Sequence, residues 1–199
     1  MNIELKTNRL ENLSDGIFAF AMTLLIFGFD IFLHPPQSIT EPDLVNLLLS
    51  LWPELLHYAE GFIILGVLWL EHHQQFHYIK RTDSFSLLIN AFGLMFIALI
   101  PVSAALVGDY GHVFTAAFLF ETNLFFTGMF FYVHWKYATR KFKLVDQDID
   151  PSVVKFYNKR CLIIPFVSVI SMIVSLFNPR IGLMLYFIVP FLFAIHKSK

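Results

Sequence analysis

The chain has 199 residues, of which 57% are hydrophobic and 15% charged, and its formal net charge is −1. Soluble globular domains carry about 25% charged residues, so this composition excludes an ordinary soluble fold and points to an all-α polytopic membrane protein. A single cysteine, Cys161, excludes an intramolecular disulfide and a cysteine-cluster metal site.

The first apolar run, Gly16 to Leu33, follows a polar segment holding Arg9, Glu11, Asn12, Ser14 and Asp15, and its polar residues are Thr23 and Asp30. At about 1.5 Å per residue it crosses most of a roughly 30 Å hydrocarbon layer. No small-residue cleavage site follows it and further spans do, so it is expected to be retained as helix one. Steps of four and three from Gly16 place Phe20, Thr23, Phe27 and Asp30 on one helical face. A carboxylate facing lipid is costly, so this face is expected to meet protein or water. The competing reading is a helix-packing seam with Asp30 snorkelling toward the headgroups.

Pro35, Pro36 and Pro42 then mark a connecting loop. Spans are expected at about 15–33, 44–76, 84–107, 113–135, 161–177 and 181–195, making residues 1–199 one six-helix domain. The second is too long for a single upright crossing and carries Pro53, Glu54, His57 and Glu60 in its first half. Asn90 and Pro101 lie in the third, Glu121 and Asn123 in the fourth. Asp146, Asp148 and Asp150 suit a surface loop before Pro151, and Asn178, Pro179 and Arg180 suit a tight turn between the last two helices. No second copy of the helix-one pattern exists, so any symmetry must come from several chains. An ionisable residue at mid-depth is a functional candidate, which makes Glu60 and Glu121 the basis of the alternative function, a proton or ion-coupled secondary transporter. Against that, both carboxyls can simply be paired, with Asn123, Tyr58 or another helix.

Six spans with a cytoplasmic N-terminus leave inside 1–15, 72–83, 136–160 and 196–199. Thirteen of the fourteen basic residues are then inside and Arg180 alone is outside, as the positive-inside rule requires. Arg9 to Asp15 consequently lie at the cytoplasmic surface and Asp30 at the outer mouth. Trp69, Glu71, His72, His73 and His77, at the end of helix two, fall level with Arg9, Ser14 and Asp15, and Asn90 is within reach of them. Polar groups at one depth are expected to pair. His73 and His77 also have an i, i+4 metal spacing, but no carboxylate-rich motif accompanies them, and no metal is expected.

Three stretches together resemble one family. Arg9-x-x-x-Leu13-Ser14-Asp15-Gly16, Trp69-Leu-x-His72-His73-x-x-Phe76, and Asn90 followed by Leu99-Ile-Pro101 are similar to the transmembrane protein 175 family of lysosomal and prokaryotic potassium channels, over about residues 9 to 110. Leu13 stands where that family's signature has Phe. The resemblance implies a homotetramer in which helix one of each subunit lines the pore, with Phe20 as an apolar ring, Thr23 as the adjacent layer implicated in cation preference, and Phe27 as a further apolar layer. Most relatives are aliphatic at the Phe20 position. It further implies a leaky, potassium-preferring channel with a hydrophobic gate, not an enzyme, with K+ as permeant ion and no cofactor. Its partners are further copies of itself and the lipid bilayer of a prokaryotic plasma membrane, with no nucleic acid.

The physics of such a pore needs no carbonyl filter, and Gly108-Asp-Tyr-Gly111 has the wrong flanks for one. Ions would pass an apolar constriction only by shedding part of their hydration, which costs weakly hydrated potassium less than sodium. A ring of Asp30 carboxylates would concentrate cations at the outer mouth. Arg9, Ser14, Asp15, Trp69, His72, His73 and Asn90 are expected to form a structural network beneath the pore helix.

Overall fold

The computed structural model describes residues 7–29 and 38–195, all helix, turn and loop apart from one isolated bridge. Helix α1, Thr7–Leu24, already includes the polar signature and tightens into a 3-10 turn at Leu25–Gly28. The single second helix expected from 44 to 76 is divided at Leu51 into α2, Glu41–Ser50, and α3, Trp52–Tyr78. Pro53 follows the break at once, and its missing N–H and fixed ring favour the start of a new helix over the interior of an old one. Then come α4, Ser84–Tyr110, and α5, Phe114–Thr139.

Beyond the loop, α6, Pro151–Arg160, leads into α7, Ile163–Ser175; α8, Pro179–Met184, passes through a 3-10 turn at Leu185–Ile188 into α9, Val189–Ile195. Several starts are written into the sequence. The side chains of Asp83, Asp150 and Asn178 accept from the backbone N–H of Ser86, Ser152 and Ile181, satisfying donors that a helix leaves open. Among the described residues five segments are long and apolar enough to cross a membrane: Thr7–Gly28, Trp52–Tyr78, Ser84–Tyr110, Phe114–Phe142 and Pro151–Ser175. Pro179–Ile195 is apolar but shorter.

Lipid is as apolar as leucine, so helices in a membrane associate through close packing and polar contacts. Phe18 and Ala21 of α1 and Leu25 of the 3-10 turn enter a core with Ile64, Leu68 and Ile97. Glycines set two of the approaches: a Cβ on Gly61 would stand 3.1 Å from Leu25, and one on Gly128 only 2.5 Å from Pro165 of α7. Around Pro101, which cannot donate a backbone hydrogen bond, Asn123 of α5 comes to α4. In the orientation that satisfies both ends of its amide, it donates to the Phe96 carbonyl and accepts from the Ile100 N–H, each at 3.1 Å.

A second core gathers at the end of the bundle where α3 stops. Ile79, Trp135, Val145 and Tyr157 pack together, and Lys80 N–H donates to Leu144 at 2.9 Å beside the Ile79–Val145 bridge. Here α6 lays Tyr157 and Arg160 inward. The Arg160 guanidinium lies 2.7 Å from the buried Glu71 carboxylate of α3 and within 5.5 Å of the Phe156 and Phe193 rings.

Candidate functional site

Helix α1 has two faces of opposite character. Leu10, Ser14, Phe18 and Ala21 recur every three or four residues and are buried against α3, α4 and their neighbours. The other face carries Arg9, Leu13, Gly16, Phe20, Thr23 and Phe27, all exposed, with Phe20 at 65% and Phe27 at 60%. Ile17 is half-buried and packs against the core, and Leu24 is half-buried. The periodic stripe is therefore the face of α1 that its own subunit leaves uncovered.

The Thr23 hydroxyl donates to the Phe20 carbonyl at 2.8 Å. Its one hydrogen is thereby committed to the backbone, and what the side chain turns outward is oxygen lone pairs and a methyl group. A hydroxyl held this way suits a cation and offers nothing to an anion. Asp30 lies outside the described residues. Gly108 to Tyr110 belong to the last turn of α4, and the Tyr110 carbonyl accepts from the Val113 N–H at 2.8 Å, so the stretch is a helix end running into a tight turn and not an extended filter segment.

The polar signature converges behind this face. His72 Nε2 is 3.0 Å from Asn90 Oδ1, Asn90 Nδ2 donates to Ser14 Oγ at 3.4 Å, and Ser14 donates to the Leu10 carbonyl at 2.8 Å. The bonds run in one direction and end on backbone, so the chain ties α3 and α4 to α1 and passes no proton onward. Trp69 Nε1 donates to Asp15 at 2.9 Å, and His73 stacks on Trp69. His72 in turn stacks on Phe76 and lies against Phe18 and Phe131. Six of the seven signature residues are thus linked. Arg9 stands apart on the exposed face, with no hydrogen bond to another described residue.

The two membrane acids have different surroundings. Glu60 is buried and meets His57 Nδ1 at 3.2 Å, one turn back on its own helix. Glu121 takes Ser171 and Ser175 of α7 as partners; Asn123, considered as a partner for both acids, bonds instead to Ser103 and the α4 backbone. Composition and depth do not identify Ser171, Ser175 or Arg160, because their importance depends on which faces of distant helices meet. Among the described residues no three His, Cys, Asp or Glu side chains converge as for a metal. His73 is turned to Trp69 and His72 to Asn90.

The family model described as endosomal/lysosomal potassium channel TMEM175 matches residues 9–101. The chain is 30% identical over 151 residues to a potassium channel of Streptomyces collinus, covering 73% of this chain and 70% of that one. To a potassium channel of Chamaesiphon minutus it is 28% identical over 197 residues, or 97% and 96% of the two chains. The crystal structure of a lysosomal potassium-selective channel TMEM175 homolog from Chamaesiphon minutus matches the fold with a TM-score of 0.82 at 27% identity, covering 96% of this chain and 98% of that one.

Proposed function

Since this multi-pass membrane protein belongs to the TMEM175 family of potassium channels, we propose that four copies of it surround a potassium-preferring, leaky cation pore lined by the exposed stripe of α1. The observation that carries the reading is the pair of large aromatic side chains, Phe20 and Phe27, left uncovered one turn either side of an outward Thr23. Rings at those levels make an apolar constriction that empties of water when the phenyl groups approach and passes partly dehydrated ions when they part. Potassium holds its hydration less tightly than sodium and pays less to enter. Thr23 supplies hydroxyl oxygens between the two rings, and Asp30 at the outer mouth raises the local cation concentration.

In this arrangement Pro179–Ile195 makes a short sixth crossing, both termini are cytoplasmic, and the membrane is the plasma membrane of a prokaryote. The basic residues of the 78–84 and 139–151 connections, Lys80, Arg81, Arg140, Lys141 and Lys143, support that orientation. The signature network holds α1 so that its stripe faces the axis. The test is flux in liposomes and planar bilayers under a potassium/sodium gradient. Unitary currents with a reversal potential displaced toward potassium are expected; saturable coupled uptake without unitary currents would contradict the channel reading.

A further inference from the structure

Away from α1, where α7 and α8 fold back on α5, Glu121 is fully buried. Its Oε1 is 2.6 Å from Ser171 Oγ and 2.5 Å from Ser175 Oγ, and Ser171 Oγ is also 2.7 Å from the Gly182 carbonyl oxygen. Three oxygen–oxygen contacts this short each require one hydrogen between the atoms. The serine hydroxyls bring two. A carbonyl brings none, so the third must be on the carboxyl.

We propose that Glu121, Ser171, Ser175 and Gly182 form a proton-binding site inside each subunit, with Glu121 held as a neutral carboxylic acid. Its Oε1–H donates to Ser171, Ser171 donates to the Gly182 carbonyl, and Ser175 donates to the carboxyl group. The site is built to close dimensions: a Cβ on Gly182 would fall 2.0 Å from Ser175 Oγ and 3.1 Å from Glu121 Oε1. Neighbouring groups do not provide the missing hydrogen. The Tyr186 hydroxyl donates to Ser168 at 2.9 Å. Among the described residues the hydrogen-bond partners of Glu121 are the two serines, and no Lys, Arg or His pairs with it.

A carboxylate here would be one hydrogen short and, among the described residues, without a counter-ion in a hydrocarbon setting, where both defects are expensive. Its other oxygen, Oε2, is buried without a hydrogen-bond partner, which is tolerable for a neutral carbonyl oxygen and much worse for a charged one. The bound proton fastens the terminal hairpin to α5, and it removes Glu121 from the carboxylates able to hold a transported cation. This inference is independent of where the pore lies.

The experiment uses the full-length protein in lipid nanodiscs and compares infrared spectra of wild type and Glu121→Gln at neutral pH. A protonated-carboxyl stretch that moves in D2O is expected in wild type and absent from Glu121→Gln. Ser171→Ala should shift that band to higher frequency, because the acid loses its acceptor. Glu121→Gln, whose NH2 can donate to Ser171 as the acid did but cannot accept from Ser175, should melt between wild type and Glu121→Ala. Carboxylate bands in the difference spectrum, an unshifted band in Ser171→Ala, or a Glu121→Gln protein that misfolds or melts as early as Glu121→Ala would each overturn the proposal.

Discussion

The residue that does most for the helix-one scaffold is Asn90, because it alone joins Ser14 of α1 to His72 of α3. Asn90→Ala leaves the His72 ring nitrogen unpartnered in the protein interior, at a cost of about 1–3 kcal/mol, and takes one donor from the Ser14 hydroxyl, which still donates to Leu10. Trp69→Phe removes one hydrogen bond from an exposed carboxylate, Asp15, and should cost about 0.5–1.5 kcal/mol. Thermal melts in detergent check the order, and an Asn90→Ala protein as stable as Trp69→Phe would show that the chain of bonds does not hold the helices. These contacts were legible in the sequence because polar side chains at one membrane depth have few partners to choose from. The Glu71–Arg160 pair was not: Arg160 reads as one more cytoplasmic cation until α6 is seen to turn it under Phe193.

At the scale of the elements, the starts of helices were more readable than their packing. Asp83, Asp150 and Asn178 are capping residues by type, and Pro42, Pro53, Pro151 and Pro179 all stand in first turns. The helical state of residues 151–160 was hidden because its apolar stripe is interrupted by Lys155, Lys159 and Arg160. Asp83 shows what a cap adds beyond its own helix. It starts α4 and also accepts from the Tyr137 hydroxyl at 2.7 Å and pairs with Lys143 at 2.9 Å, tying α4 to the end of α5. Partial burial works against its charge, but the Ser86 N–H, Lys143 and Tyr137 together outweigh it and bring the carboxyl from its ordinary 3.8 down to about 2. A depressed acid stabilises the fold above its ordinary range and loses that contribution as pH falls, so this tie should weaken between about pH 4 and pH 2. Asp83→Asn should flatten melting temperature against pH in that window, and Asp83→Ala should cost about 0.5–2 kcal/mol at neutral pH as a lost cap. Gly128→Ala tests the α5–α7 approach directly: its methyl meets Pro165, and overpacking of about 1–3 kcal/mol is expected in the same melts.

For the whole molecule, the assembly proposed above has α1 turn its uncovered face inward, a reading supported by the exposed stripe, the basic residues of the connections and the family membership. Periodicity alone made that stripe visible in the sequence; it could not say that the opposite face, Leu10 to Ala21, is the one its own subunit buries. Arg9, exposed and outside the network, belongs to this scale. Arg9→Ala should leave the melting of the subunit unchanged while lowering the fraction of complexes with four-chain mass in native mass spectrometry. The most direct test of the pore is the reversal potential under a potassium/sodium gradient, measured in planar bilayers for single substitutions along α1. Phe20→Asn shortens the side chain and places hydrogen-bonding groups at the apolar level, so current should rise and the reversal potential should move toward zero as the two ions permeate more equally. Thr23→Ala should move it the same way with a smaller change in current. Ile17→Asn and Leu24→Asn, to either side of the stripe, should reduce stability and leave the reversal potential of surviving channels where it was. If Phe20→Asn changes neither current nor reversal potential while Ile17→Asn or Leu24→Asn shifts them, ions follow a different face of α1 and the pore assignment is wrong.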